Sequence, residues 1–250
     1  MSLKISEHFF SVQGEGVSAG TPAYFIRLQN CNMCCGGTGG KWVKEGKASW
    51  WCDTETVWRQ GKEYSNEDLI QEIPIDILQD ILKGKIHIVW TGGEPMLQQE
   101  GIACFIERLR YQSMNFGECL YSEIETNGTV LSKDHFLFSD IQQINCSPKL
   151  ANSGVKDSIR IKGEVIKQIK SHDNSWFKFV ITSEDDIKEI QETYIKPFDI
   201  PQKKLILMPG VDKLSDLSDT TRLIMELSKK YRYKCCTRMH VLAWDKLTGV

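Results

Sequence analysis

No stretch of the sequence approaches the ~20 consecutive apolar residues that a membrane-spanning helix needs. Positive charge is not in excess either: 31 Lys and Arg stand against 33 Asp and Glu, for a formal charge of −2. That balance argues against a protein that coats nucleic acid and against a polybasic membrane anchor. The opening MSLKISEHFF does not show the basic-then-apolar order of an export signal. Repeats, low-complexity tracts and linkers are missing as well. One domain over residues 1–250, soluble and cytoplasmic, is therefore expected.

Cysteine, by contrast, is abundant. There are nine, and Cys31, Cys34, Cys35 and Cys52 fall close together. Without an export signal a disulfide framework is a poor expectation, and a thiolate metal site a better one. Cys104, Cys119, Cys146, Cys235 and Cys236 are scattered, and packing is their expected role.

Alternating apolar and polar residues predict a strand over Ala23–Gln29, which runs straight into the cysteine cluster. Gly36–Ser49, rich in glycine and lysine, reads as a surface loop inside that cluster. Apolar spacing predicts a helix over Asn66–Lys83, capped by Ser65 or Asn66 and kinked at Pro74. Further strands are expected at Ile86–Thr91, Leu120–Thr126, Ile141–Cys146, Phe177–Ile181 and Leu205–Met208. Helices are expected near Gln98–Tyr111 and over Leu214–Tyr231, and Met239–Trp244 reads as a last, strand-like run carrying His240. Strands alternating with helices imply a mostly parallel sheet. Four strands end in polar or glycine-rich motifs, which a parallel sheet would present on one edge, as an enzyme site requires.

Four thiolates could close a tetrahedral zinc site. Cys34 and Cys35 are neighbours, however, and neighbours in an extended chain point oppositely. Three usable thiolates suit an iron–sulfur cluster with one iron left open. Spacing alone leaves both readings standing.

The motif Gly92-Gly93-Glu94-Pro95 follows directly on a strand, and on its own it is an ordinary turn. With the cysteines it resembles the radical S-adenosylmethionine (SAM) superfamily, whose second motif is GGE(P). The whole pattern is similar to that of the 7-carboxy-7-deazaguanine synthase family. It comprises Phe10-Ser-Val-Gln-Gly-Glu-Gly16, Arg27 before the first cysteine, Cys52-Asp53-Thr54, Thr91–Pro95, Glu125-Thr-Asn-Gly-Thr129, Ser147-Pro148-Lys149 and Arg238–Trp244. The chain departs from the usual C-x3-C-x2-C spacing: Cys31-x3-Cys35 keeps the first interval and Cys52 comes after an insertion. Aligned on the C-D-T end instead, the middle position would be Ser49. Cys31, Cys35 and Cys52 are therefore assigned to the cluster, with Cys34 spare.

The resemblance implies an α/β fold, a partial (β/α)6-type barrel with an inserted loop in the cluster-binding segment. It implies a lyase-type reaction converting 6-carboxy-5,6,7,8-tetrahydropterin to 7-carboxy-7-deazaguanine with loss of ammonia, on the route to queuosine and related 7-deazapurines. The implied cofactors are a [4Fe-4S] cluster, SAM and Mg²⁺. The implied partners are an electron donor such as flavodoxin and a second copy in a homodimer, with neither nucleic acid nor membrane. Gly92, Gly93, Glu94, Asn127, Ser147 and Lys149 would hold SAM. Gln13, Gly14, Glu15, Arg27, Thr91 and His240 would hold the substrate, Arg27 suiting its carboxylate. Thr54 would bind Mg²⁺, and Trp42, Trp50 and Trp51 would shield the cluster. Two rival readings are a glycyl-radical-enzyme activase of the same superfamily and a zinc-stabilised binding module.

Overall fold

The computed structural model describes residues 1–114, 120–133, 135–211 and 213–250, so Cys119 lies outside the described residues. Nine strands form one sheet: β1 (Ser2–Val12), β2 (Pro22–Leu28), β3 (Lys62–Ser65), β4 (His87–Gly92), β5 (Ser122–Thr126), β6 (Gln143–Cys146), β7 (Ser175–Ile181), β8 (Leu205–Pro209) and β9 (Lys234–Cys235). Their order is β3-β1-β2-β4-β5-β6-β7-β8-β9. The six expected strands, β2 and β4 to β8, run parallel, and β9 extends them. The sequence reading missed β1 and β3, which pair antiparallel at one edge. Among the described residues no pairing joins β3 to β9, and the sheet ends at these two strands.

The two faces of the sheet differ in chemistry. Trp90, Ile124 and Ile144 lie in register across β4, β5 and β6 and are fully buried in the main core with Phe105, Ile166 and Ile169. Trp90 meets Phe105 edge-on at 5.4 Å. Burial of side chains of this size contributes roughly 1.5–3 kcal/mol each. The alternating positions are polar: Glu123 pairs with Gln143 and Glu125 with Asn145 across the same strands. Glu123 accepts from Gln143 and Asn145, each at 3.0 Å, and lies 2.5 Å from His87 Nδ1. A sheet with an apolar back and a polar front needs helices on one side only, which leaves the front for a ligand.

The inserted segment holds a short helix, α1 (Lys41–Lys44), and α2 (Glu55–Trp58) follows Cys52. The single kinked helix expected over Asn66–Lys83 is two helices, α3 (Asn66–Glu72) and α4 (Ile75–Leu82). Ile73, before Pro74, is extended with ψ 124, because the proline ring clashes with a helical predecessor. The Ser65 hydroxyl caps α3 by accepting from Asp68 N at 3.1 Å. Helices α5 (Gln99–Ser113), α6 (Gly163–Lys170) and α7 (Leu214–Tyr231) follow. Among the described residues no helix is long and apolar enough to cross a membrane.

Met239–Trp244 corrects the sequence reading: it is a helix, α8, and so His240 is not on a strand. β9 stops at Cys235, and the Met239 amide donates to the Gly14 carbonyl at 2.9 Å. This places the start of α8 against the loop after β1. Of the scattered cysteines, Cys146 is buried as expected but Cys235 is exposed, against the packing expectation.

Candidate active site

The C-terminal ends of β2 and β4 to β8 border a cleft of about 840 Å³. Cys31 enters it just after β2, through Asn30 at φ +75. The double glycine at the end of β4 is required by how closely the two strand exits approach. A Cβ on Gly92 would fall 2.3 Å from the Leu28 carbonyl oxygen, and one on Gly93 would fall 1.9 Å from that of Asn30. Gly93 N donates to Leu28 O at 3.0 Å and Glu94 N to Asn30 O at 2.9 Å, which welds the turn to the cysteine loop.

Glu94 is the one expected site residue that the cleft does not include. It is fully buried, and its carboxylate accepts from Asn127 N (2.7 Å), Thr126 Oγ1 (2.8 Å) and Met96 N (3.0 Å). Burial pushes its acidity toward the neutral form against those bonds. Its side chain ties β4 to β5 and does not reach for a ligand.

The cysteines divide by direction. Cys31, Cys35 and Cys52 line the cleft. Cys34 is turned away, toward Thr38 Oγ1 (3.6 Å), Glu55 Oε1 (3.8 Å) and Arg59 Nη2 (3.9 Å). This is the opposed orientation expected of adjacent residues, and it disfavours a four-thiolate zinc site. Burial raises the Cys35 thiol to about 12 and the Cys31 thiol to about 11. Among the described residues no three His, Cys, Asp or Glu side chains gather tightly enough to grip a single metal ion. The fit to a cluster therefore rests on the donor set, three thiols without carboxylate or imidazole, and on their shared direction. These suit iron–sulfur chemistry.

The segment expected as a surface loop, Gly36–Ser49, is not loose. Gly36 N and Ser49 N donate to Ser153 O and Asn152 O, each at 2.8 Å, and Trp50 Nε1 donates to Asn152 Oδ1 at 2.8 Å. Trp42 and Trp50 pack with Met33, Cys35 and Val155. The insertion thus packs aromatic rings against Cys35, while Cys31 and Cys52 stay partly exposed to the cleft.

A network of charge also lines the cleft. Glu15 pairs with Lys178 at 2.5 Å and Arg238 at 2.8 Å, with His240 Nε2 at 3.8 Å. Arg238 also pairs with Asp53, and Lys178 lies 3.6 Å from Glu125. Burial opposes ionisation of Glu15, yet Lys178, Arg238 and His240 overcome it and hold its carboxyl well below the usual range. Burial also opposes the charge on Lys178, and Glu125 and Glu15 reverse the effect, so its pKa rises. His240 goes the other way: burial lowers its pKa despite Glu15.

Gln13 Nε2 donates to Glu125 Oε1 at 3.2 Å and Thr91 Oγ1 to Glu125 Oε2 at 3.4 Å. Gly14 lies against His240, where a Cβ would fall 2.4 Å from Nδ1. Arg27 pairs with Glu7, its cross-strand partner, at 2.7 Å. Thr54 Oγ1 is 3.5 Å from Cys52 Sγ. Lys149 Nζ donates to Ser147 Oγ at 3.0 Å and sits 5.8 Å from the centre of the Trp50 ring. Asn127 Nδ2 reaches Asn32 Oδ1 at 2.8 Å and Cys31 Sγ at 3.9 Å.

Apart from Glu94, every residue assigned from the sequence to cofactor, substrate or metal lines this one cleft. The sequence reading placed Glu125 on the SAM or substrate side, where it does line the cleft, but made no assignment to Lys178, Arg238 or Asn145, which line it as well. Lys178 did carry a signal, as a lone charge inside the apolar run Phe177–Ile181.

No family model matches the chain. The chain is 28% identical over 254 residues to the 7-carboxy-7-deazaguanine synthase of Pyrobaculum aerophilum, covering 99% of this chain and 97% of that one. It is 32% identical over 254 residues to the enzyme of the same name from Rhodopirellula baltica, covering 96% and 86%. Its fold matches the crystal structure of QueE from Escherichia coli, with a TM-score of 0.66 and 23% identity over 96% of this chain and 95% of that one.

Proposed function

The chain belongs to the 7-carboxy-7-deazaguanine synthase family, and from that membership we propose that it is a radical SAM enzyme. Its reaction converts 6-carboxy-5,6,7,8-tetrahydropterin to 7-carboxy-7-deazaguanine with release of ammonia. The observation that carries this reading is one cleft lined both by three thiols and by an anionic, cation-braced Glu15.

Cys31, Cys35 and Cys52 would hold the [4Fe-4S] cluster. Gly92, Gly93, Asn127, Ser147 and Lys149 would flank SAM, with Glu94 supporting the turn from behind. When bound, the cluster and SAM supply the electron and the radical that begin the rearrangement. The chain itself binds, orients and keeps out water. Arg27, its Nε held by Glu7, offers terminal nitrogens to the substrate carboxylate, a geometry that guanidinium matches bidentately. Glu15 stays ionised beside Lys178 and Arg238, so it accepts from the N–H groups of a guanidine-like pterin edge, with Gln13 alongside. Gly14 leaves room for His240, which burial keeps neutral and able to accept or donate. Thr54 would give Mg²⁺ a hard oxygen next to the substrate carboxylate.

The chain is proposed to work as one radical SAM domain over residues 1–250, a reading supported by the single nine-stranded sheet. A homodimer and a donor such as flavodoxin follow from the family resemblance.

The test is anaerobic reconstitution, then incubation with SAM, a reductant, Mg²⁺ and the carboxy-tetrahydropterin. A brown protein that yields ammonia and a product with the mass of carboxy-deazaguanine is expected. SAM cleavage without that product, or a colourless zinc protein, would overturn the proposal.

A further inference from the structure

The Trp58 side chain has one polar atom, and that atom points at a sulfur. The residue is 6% exposed, and Nε1 donates to Cys52 Sγ at 3.5 Å. An indole N–H can only donate, and burying it without a good acceptor is costly. A neutral thiol is a weak acceptor and a thiolate is a strong one. The contact is therefore well made only if Cys52 carries negative charge, as a cluster ligand does.

The backbone holds Trp58 in that position. Its amide donates to Thr54 O at 3.0 Å, and its carbonyl accepts from Asn30 N at 3.0 Å. Helix α2 is thus closed at one end and tied to the exit of β2 at the other. The Arg59 guanidinium lies 5.3 Å from the centre of the Trp58 ring and spends its hydrogen bonds mainly on Glu55, at 2.6 and 2.8 Å.

We infer that Trp58 is a positioning residue that tunes the cluster through an N–H···S bond to Cys52. This rests on the proposed assignment of Cys52 as a ligand. A hydrogen bond to a ligand sulfur stabilises the more negative, reduced cluster and so raises its reduction potential. The aromatic and aliphatic wall formed by Trp42, Trp50, Met33 and Val155 has the opposite effect, since a dry site disfavours added negative charge. Trp58 eases a reduction that the shielding makes harder. Asn127 Nδ2, 3.9 Å from Cys31 Sγ, is a longer and weaker counterpart at a second thiol.

The test compares Trp58→Phe with a site-specific benzothienylalanine at position 58, which keeps the bicyclic shape and replaces only the N–H. Reconstituted protein without SAM or substrate is titrated with a reductant and followed by electron paramagnetic resonance. At fixed solution potential the reduced-to-oxidised ratio should fall about tenfold in both variants, or 59 mV for a one-electron couple. An unchanged potential in the benzothienyl variant overturns the inference, even if Trp58→Phe loses iron through poorer packing.

A second readout needs no cluster. In the full-length chain before iron is added, the Trp58 indole N–H resonance should move when Cys52 is replaced by alanine. A resonance that stays in place also overturns the inference. Failure of the family reading would look different: the wild-type chain would take up no cluster at all.

Discussion

Replacing Lys178 with methionine tests whether the charged network of the cleft is held as the structure shows. The side chain is 5% exposed, with Nζ 2.5 Å from Glu15 and 3.6 Å from Glu125. Methionine fills most of the stem's volume and removes the charge. Breaking a buried pair by deleting one partner costs about 3–5 kcal/mol. Here the lower end applies, because Glu15 keeps Arg238 at 2.8 Å and Glu125 keeps Gln13 at 3.2 Å and Thr91 at 3.4 Å. A loss of about 3 kcal/mol lowers Tm by roughly 6–12 °C in a chain of this size.

The pH profile adds a second signature. The carboxyl of Glu15 sits below its unfolded value of about 4.3, so its contribution is present above that value and lost as pH falls through the folded one. The ammonium of Lys178 sits above its unfolded value of about 10.4, so its contribution is complete below that value and lost as pH rises through the folded one. The gap in Tm between wild type and variant should therefore be widest between about pH 5 and pH 10 and should close on both sides. Differential scanning calorimetry across that range measures it. A gap under about 2 °C at pH 7.5, or one that grows in acid, would refute the electrostatic account.

Four further outcomes follow from the same geometry. Alanine at Cys31, Cys35 or Cys52 should abolish the iron–sulfur absorbance after reconstitution, whereas Cys34→Ala should keep it; the reverse result within the adjacent pair would reassign the middle ligand. Arg27→Ala should weaken substrate binding by about 1.5–3 kcal/mol, the worth of a charge-assisted hydrogen bond, whatever the Mg²⁺ level, while Thr54→Ala should blunt the Mg²⁺ response of turnover and leave the cluster spectrum intact. Gly93→Ala should fail to give a stable fold, since its Cβ would lie 1.9 Å from a carbonyl oxygen that cannot step aside; a soluble variant with wild-type Tm would show that the β2 and β4 exits are not welded.

How far the sequence could be read depended on whether the deciding contact was local. The strand-end motifs were legible because parallel strands place all their C-terminal ends on one edge, so listing the strands was enough to bring Gly92, Asn127 and Ser147 together. That Cys34 and Cys35 would face different ways was legible for a local reason, as neighbouring side chains diverge, whereas the choice of Cys35 rested on its interval from Cys31. Lys178 and Arg238 were hidden because their shared partner, Glu15, lies 163 and 223 residues away. Met239–Trp244 was misread because a six-residue apolar run fits a strand or a helix equally well, and contact with Gly14 accompanies the helix. The Gly36–Ser49 insertion is largely exposed, as a surface loop should be. Its anchoring was not legible: Gly36 and Gly37 use φ of +76 and +73, and the chain folds back onto residues 152 and 153.

The Gly92–Gly93 turn shows why the bland and functional readings of a motif are not always rivals. As a turn, it exists so that β4 can press on Leu28 and Asn30, closer than any side chain would allow. That pressure also fixes where Cys31 begins, since Asn30 is the residue before it. Glu94 then carries the constraint across to Asn127 N at 2.7 Å, and Asn127 returns it to Asn32 at 2.8 Å and to Cys31. The loop, the turn and the end of β5 form a closed ring of contacts around the first thiol. On the proposed reading, a group bound at that thiol would meet the glycine backbone and Asn127 at positions set before it arrives, which is the preorganisation a reactive intermediate needs. The glycines serve the site by serving the fold.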